Sequence, residues 1–152
     1  MQIREGGLDH PAVVALLELH FRSMLANSPK DSCHFLDLSG LAAPDVTFWT
    51  AWDGETLLGC GALRELDPAH GEIKSMRTAP DQLRRGTGAA ILEHILATAK
   101  QRGYARLSLE TGSTPAFEPA HALYRSYDFA YCPAFADYPA DDPFSRYMTR
   151  AL

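Results

Sequence analysis

Arg84-Arg85-Gly86-Thr87-Gly88 stands directly before a run in which Ile91, Leu92, Ile95, Leu96 and Ala99 recur at helical spacing. A glycine-rich turn opening a helix gathers free backbone N–H groups, and with the positive end of the helix dipole these favour a phosphate. Gly86 and Gly88 lack the Cβ atoms that would keep a ligand at a distance, and the two arginines add charge. Two common phosphate loops are excluded. A Walker A loop needs Gly-Lys-Ser/Thr, whereas Ala89-Ala90 follows Gly88. The dinucleotide fingerprint GxGxxG needs a third glycine where this chain has Ile91.

The charge distribution points the same way. From Lys74 to Arg106 there are seven basic residues and two acids, in a chain whose net charge is −5. A basic island in an acidic chain fits a small anionic ligand held locally, and equally a solvated helix surface. The net charge argues against general nucleic-acid binding. Three cysteines (Cys33, Cys60, Cys132) without a CxxC pair read as reduced thiols, and six histidines without HExxH or HxxxH spacing predict no metal site. No apolar run approaches the ~20 residues of a membrane span, and MQIREGGLDH lacks the features of a signal peptide. A cytoplasmic protein is expected, with no nucleic-acid or membrane partner.

Other elements must position the loop. The 152 residues, 46% of them hydrophobic, suffice for one domain with a proper core. Gln2–Arg4 reads as a first strand, and Asp9 and Pro11 as a helix start. Val13, Val14, Leu17, Phe21, Met24 and Leu25 give that helix one buried face, and it ends near Asn27-Ser28-Pro29. Ser32 to Ala43 is mixed, with room for a short helix. Val46 to Trp52 and Leu57 to Leu63 form a hairpin about Asp53-Gly54, with Gly59 and Gly61 permitting a bulge or close backbone approach. A third strand follows from about Glu72 to Thr78, then the glycine-loop helix closed by Gly103, a strand from Ala105 to Glu110, a helix from Pro119 to Tyr127, and two strands in the tail. The class is α/β: a helix, an antiparallel meander, then a β-α-β-α-β finish on one mixed sheet with helices on both faces.

With this order of elements the chain resembles the GNAT superfamily of N-acetyltransferases over nearly its whole length, residues 1–152 forming a single acetyltransferase-like domain. The family's strand, proline and Gln/Arg-x-x-Gly-x-Gly/Ala pattern is similar to Ser75-Met76-Arg77-Thr78-Ala79-Pro80-Asp81-Gln82-Leu83-Arg84-Arg85-Gly86-Thr87-Gly88. Its Ala-x-x-Leu-Tyr-x-x-x-Gly-Phe pattern is similar to Ala120-His121-Ala122-Leu123-Tyr124-Arg125-Ser126-Tyr127-Asp128-Phe129. Leu83 stands where Gln or Arg is usual, Phe117 where many members have an Asn that touches coenzyme A, and Asp128 where a Gly ends the helix.

The resemblance implies direct transfer of an acetyl group from acetyl-CoA to an amine. The pantetheine arm would pair with backbone at Met76, Arg77 and Thr78, as an added strand would, and a main-chain N–H there would polarise the thioester carbonyl. The diphosphate would sit on the amides of Arg84, Arg85, Gly86, Thr87, Gly88 and Ala89. Tyr124 matches the family tyrosine that protonates the leaving thiolate; outside the motif it would read as a packed helix residue. For the base, Glu72 lies fourteen residues before Gly86, a spacing some members use, and Glu110 is the rival. Either is otherwise an exposed strand residue. His34 is expected to make local hydrogen bonds, and His121 to lie on a helix surface.

Asp31, Asp37, Asp137, Asp141 and Asp142 are expected to flank the acceptor side of the cleft, interleaved in the late loop with Phe135, Tyr138 and Phe144. That mixture suits a small-molecule amine with an apolar body better than a polycation or a protein lysine. A homodimer is left open. The competing functions are a non-catalytic acyl-CoA-binding or regulatory module on the same scaffold, and a phosphate-binding protein unrelated to coenzyme A.

Overall fold

The computed structural model describes residues 1–30 and 33–152. Asp31, one of the expected acceptor-side acids, and Ser32 lie outside the described residues. The chain runs β1 (Gln2–Glu5), α1 (Pro11–Asn27), α2 (Leu38–Leu41), β2 (Val46–Asp53), β3 (Thr56–Asp67), β4 (His70–Thr78), α3 (Thr87–Gln101), β5 (Arg106–Gly112), α4 (Glu118–Ser126), β6 (Ala130–Cys132) and β7 (Ser145–Ala151). The strands form one sheet in the order β1-β2-β3-β4-β5-β7-β6, antiparallel throughout except for the parallel pair β4–β5. The expected α/β class and mixed sheet are those observed.

Local chemistry sets the helix ends. Pro11 fits the first turn of α1, where its missing N–H has no acceptor to serve, and Nδ1 of His10 accepts from the Ala12 N–H at 3.1 Å. The cap is therefore His10 and not Asp9. Helix α1 stops at Ser28, before Pro29. In α2, Asp37 caps through its carboxylate, which accepts from Gly40 N–H at 2.8 Å.

Helices cover both faces of the sheet. On one face Ile91, Leu92 and Ile95 of α3 pack against Trp49, Leu63, Leu107 and Leu109. On the other, Val13, Leu16 and Leu17 of α1 pack against Phe48, Trp52, Cys60 and Ala62. Leu17, Leu63, Leu92, Ile95 and Leu107 are fully buried, and each such side chain contributes about 1.5–3 kcal/mol relative to exposure. Double coverage explains why Leu57 to Leu63 is a continuous buried run and not an alternating one.

Two features of β4 shape the site. First, its register with β3 passes from Cys60↔Arg77 to Ala62↔Lys74, so Ser75 and Met76 together oppose Gly61. This β-bulge places Ser75 at φ 55. A Cβ on Gly61 would lie 2.7 Å from both Ile91 Cγ2 and Met76 Sδ, and one on Gly59 would lie 2.7 Å from Arg77 O. The expected close backbone approach is present at Gly59, and the expected bulge lies opposite Gly61, which is crowded by side chains. Second, β4 and β5 pair only from His70↔Arg106 to Ile73↔Leu109. Beyond that rung β4 continues to Thr78 and β5 to Gly112 without pairing to each other.

Several boundaries differ from expectation. Strand β3 runs to Asp67, and β4 begins at His70, because Arg64↔Glu72 and Glu65↔Gly71 pair through backbone whatever their side chains. The polar residues hide that end of the hairpin from a hydrophobicity pattern. Among the described residues no helix is long and apolar enough to cross a membrane.

Candidate active site

The parting of β4 and β5 opens a cleft of about 540 Å³. One wall is α1 with His20, Ser23 and Met24, the floor is the bulged half of β4, and the far wall is Glu110, Phe117 and Tyr124. Gly88 and Ile91 of α3 close one end.

At that end the glycine loop has the expected form. Gly86 is the N-cap of α3 at φ 77, a left-handed conformation that any side chain would strain, and Arg84 is left-handed at φ 65. Ala90 N–H is the first to find a helical acceptor, Gly86 O at 3.0 Å. The N–H groups of Thr87, Gly88 and Ala89 thus have no helical partner. A Cβ on Gly88 would sit 3.3 Å from Leu123 Cδ2, within the cleft wall. Thr87 turns its side chain inward at 2% exposure, leaving only its N–H for a ligand. Arg85 is held away from the loop mouth by Asp53 at 2.8 Å and by Gln82. That exposed pair holds the Asp53 carboxyl below its usual range. Among the described residues Arg84 makes no side-chain ion pair.

Tyr124 comes from α4 and is 6% exposed, its ring edge-on to Phe129. Its hydroxyl has no hydrogen-bond partner among the described residues, and burial pushes the phenol well above its usual range. The sequence-expected Phe117 places its ring against Gly112, where an added Cβ would come within 2.1 Å of Cε2. An apolar ring stands where the resemblance suggests an amide side chain.

The two candidate bases differ sharply. Glu72 is 1% exposed, and its Oε2 accepts from the Tyr138 hydroxyl and from Lys74 Nζ at 3.4 Å. Lys74 also donates to Tyr138 Oη at 2.7 Å and His34 O at 3.0 Å, so its three hydrogens are all engaged. Burial, then the neighbouring Glu72 charge, pushes the Tyr138 phenol far up. Glu110 instead lines the cleft itself. Burial raises its carboxyl to about 7; a hydrogen bond from Ser145 and the charge of Lys74 pull against that rise, while Glu72 and Asp142 add to it. A carboxylate at about 7 is suited to taking a proton near neutral pH.

Other residues take side-chain roles that the sequence does not show. Arg77 sends Nη1 to Ser23 Oγ at 3.2 Å, bridging β4 to α1. Burial and then that guanidinium lower His20 to about 4. Tyr138 had been expected only as an aromatic neighbour of acids. Its pairing with Glu72 joins residues 66 positions apart, which no local pattern reveals. His121 corrects an expectation. It is 5% exposed, with Nε2 2.7 Å from Gly112 O and Nδ1 2.9 Å from the Tyr131 hydroxyl. Gly112 O can only accept, so Nε2 carries hydrogen and ties α4 to the end of β5. The short helix turns that edge inward. Of the expected acceptor-side acids, Asp37 caps α2, Asp142 lies 3.8 Å from His34, and Asp137 lines a neighbouring crevice beside Tyr138.

Among the described residues no group of three His, Cys, Asp or Glu side chains is placed to hold a metal ion. The arrangement can accept a diphosphate on the α3 amides and a strand-like arm along β4, and it offers a carboxyl, Glu110, able to take a proton and a phenol, Tyr124, able to give one.

Comparison with known proteins supplies the family. The family model for the acetyltransferase (GNAT) family matches residues 13–129. The uncharacterized N-acetyltransferase YsnE of Bacillus subtilis (strain 168) is 52% identical over 152 residues, all of both chains. A Klebsiella pneumoniae structure assigned as an acyl-CoA N-acyltransferase superposes with TM-score 0.82 at 27% identity, covering 99% of this chain and 97% of that one. A GNAT family acetyltransferase of Elizabethkingia anophelis, solved with acetyl-CoA bound, shares the fold at TM-score 0.68 and 20% identity, covering 99% and 97% of the two chains. The chain belongs to the GNAT acetyltransferase family, and so to the acyl-CoA-dependent acetyltransferases.

Proposed function

We propose that this protein transfers the acetyl group of acetyl-CoA directly to the primary amine of a small molecule. The observation that carries the reading is the parting of β4 and β5 after Ile73↔Leu109, which puts free α3 amides, Glu110 and Tyr124 around one cleft. The cleft fits the cosubstrate: Gly88 leaves open the space a Cβ would fill, and the N–H groups of Thr87, Gly88 and Ala89 await an acceptor. The Elizabethkingia structure, which holds acetyl-CoA on the same fold, supports the reading.

Acetyl-CoA supplies the acetyl group as a thioester. Main-chain groups of Met76, Arg77 and Thr78, unpaired on the β5 side, hold the arm as an added strand and direct an N–H at the thioester carbonyl. Glu110 takes the proton from the ammonium acceptor, directly or through a water, so that the amine lone pair can attack the carbonyl carbon. As the tetrahedral adduct collapses and the C–S bond breaks, Tyr124 gives its hydroxyl proton to the leaving sulfur, and the proton that the newly acylated nitrogen sheds returns, through water, to Tyr124. Glu72 is a positioning residue: with both Tyr138 and Lys74 on its carboxylate, it fixes the acceptor-side wall. Arg84 lends charge at the loop mouth. Three free cysteines fit a reducing, cytoplasmic setting.

The test is release of free thiol from acetyl-CoA in the presence of a panel of primary amines, beside calorimetric binding of acetyl-CoA. Amine-dependent thiol release is expected. Binding without release on any amine would favour a non-catalytic acyl-CoA-binding module, and absence of binding would overturn both readings.

A further inference from the structure

We propose that the acceptor carries a carboxylate as well as its amine, and that the guanidinium of Arg77 receives it. This rests on the proposed acetyl transfer to a small-molecule amine in this cleft. The argument begins with the charges around the cleft. Among the described residues its lining contains two cations, Lys74 and Arg77, and one acid, Glu110. Lys74 is saturated: its three hydrogens serve His34 O, Tyr138 Oη and Glu72, and the carboxylate of Glu72 balances its charge. Arg77 is not. A guanidinium has five N–H donors, and only Nη1 is engaged among the described residues, by the neutral hydroxyl of Ser23. No acid pairs with it there.

A partly buried cation facing a cavity is costly to leave unpaired, and its charge reaches far enough to help hold neighbouring His20 neutral. The planar donor edge matches a carboxylate with two parallel hydrogen bonds. Arg77 and Ser23 stand on β4 and α1, across the opening from Glu110 on β5. An amine that also carries a carboxylate can engage both: the carboxylate on Arg77, the ammonium toward Glu110. Met24, Phe35 and Phe117 line the remaining wall, so an apolar or aromatic side chain suits the rest of the molecule. An amino acid or a close analogue has this chemistry. The acids expected from sequence to attract a plain cationic amine do not line the cleft, Asp31 aside as outside the described residues.

The probes are matched triples: L-phenylalanine, L-phenylalaninamide and phenethylamine, with the leucine counterparts. The wild-type protein is expected to acetylate the free acid at least tenfold better in kcat/KM than the amide or the decarboxylated amine, the scale of one lost charge-assisted pair. In Arg77→Gln, which keeps a polar amide but removes the charge, that ratio should fall toward one, and Arg77→Lys should recover part of it. Equal use of all three probes by the wild type, or a ratio that survives in Arg77→Gln, would overturn the proposal. So would a rise in the acetyl-CoA KM of Arg77→Gln as large as the rise for acceptor, since the side chain would then serve the cosubstrate. A second measurement is independent of turnover: calorimetric binding of N-acetyl-L-phenylalanine and its amide to the protein saturated with coenzyme A. Preference for the acid that disappears in Arg77→Gln supports the carboxylate site even if no amine is acetylated, in which case the transfer reading alone fails. No preference there overturns the site whether or not amines are acetylated. Melting temperatures of both variants confirm that they fold.

Discussion

Ile73 and Leu109 are the last residues paired between β4 and β5, and the cleft opens at that rung, lined by Ile73 itself and by Lys74 and Glu110 just beyond it. Up to that rung the strands share backbone hydrogen bonds; past it the bulge at Ser75 and Met76 bends β4 away, and both strands keep open edges. An open edge is an aggregation hazard on a protein surface and a template for an extended ligand inside a cleft. The same geometry sets Glu110, one residue beyond Leu109, at the mouth of the opening.

Gly88→Asp should weaken acetyl-CoA binding by at least tenfold. The new side chain would enter the wall beside Leu123 and set a negative charge against the α3 amides where the diphosphate is expected. Calorimetry on the folded variant checks this. Undiminished affinity would remove the loop from the binding site.

Tyr124→Phe should lower kcat by roughly 10²–10⁴-fold while leaving acetyl-CoA affinity nearly unchanged, because a general acid acts in the transition state. Stability gives an independent readout. The hydroxyl lacks a partner among the described residues, so its removal should leave the melting temperature level or slightly higher. A fall in kcat below threefold with chemistry rate-limiting would assign Tyr124 to packing.

Much of this frame was legible in the sequence, for reasons that differ by element. The glycine loop was readable because its chemistry is local: Gly86 and Gly88 act through the backbone of the turn that contains them. Helix α3 was readable from Ile91, Leu92, Ile95 and Leu96, which share one face. Gly59 and Gly61 announced a close approach without saying to what. Glu72 and Glu110 could not be separated, because what distinguishes them is non-local. Tyr138 and Lys74 occupy Glu72, whereas Glu110 faces the cleft. Arg77 was read only for its backbone, since the partner that orients its side chain, Ser23, lies 54 positions away. His121 defied its polar helix because the acceptor it serves, Gly112 O, belongs to the end of a strand.

Gly61→Ala tests the bulge. A methyl group there would meet Ile91 Cγ2 and Met76 Sδ at 2.7 Å, between two packed elements. Overpacking of this kind costs about 1–3 kcal/mol, and here it would push Met76 and so disturb the backbone expected to hold the cosubstrate arm. Lower stability in urea together with weaker acetyl-CoA binding is expected. Lower stability with unaltered binding would show that the bulge tolerates repacking.

Glu110→Gln links the chemistry to stability. The carboxyl is at about 7 in the folded protein against 4.5 ordinarily, so between those values the folded state holds a proton that the unfolded chain releases. The stability due to this group is therefore fully present below about 4.5 and is lost as pH rises through 7. Glutamine keeps the neutral form at every pH. The variant should match the wild type near pH 4.5 and exceed it at pH 8 by about 1–3 kcal/mol. Activity should move oppositely. The wild-type rate should climb with pH through a limb near 7 as the base ionises, and Glu110→Gln should lose about 10²–10⁴-fold in kcat together with that limb. Urea denaturation at the two pH values and a pH–rate profile on the best amine make the measurement. A variant that retains both rate and limb would place the base elsewhere, and Glu72→Gln would then be the variant to profile.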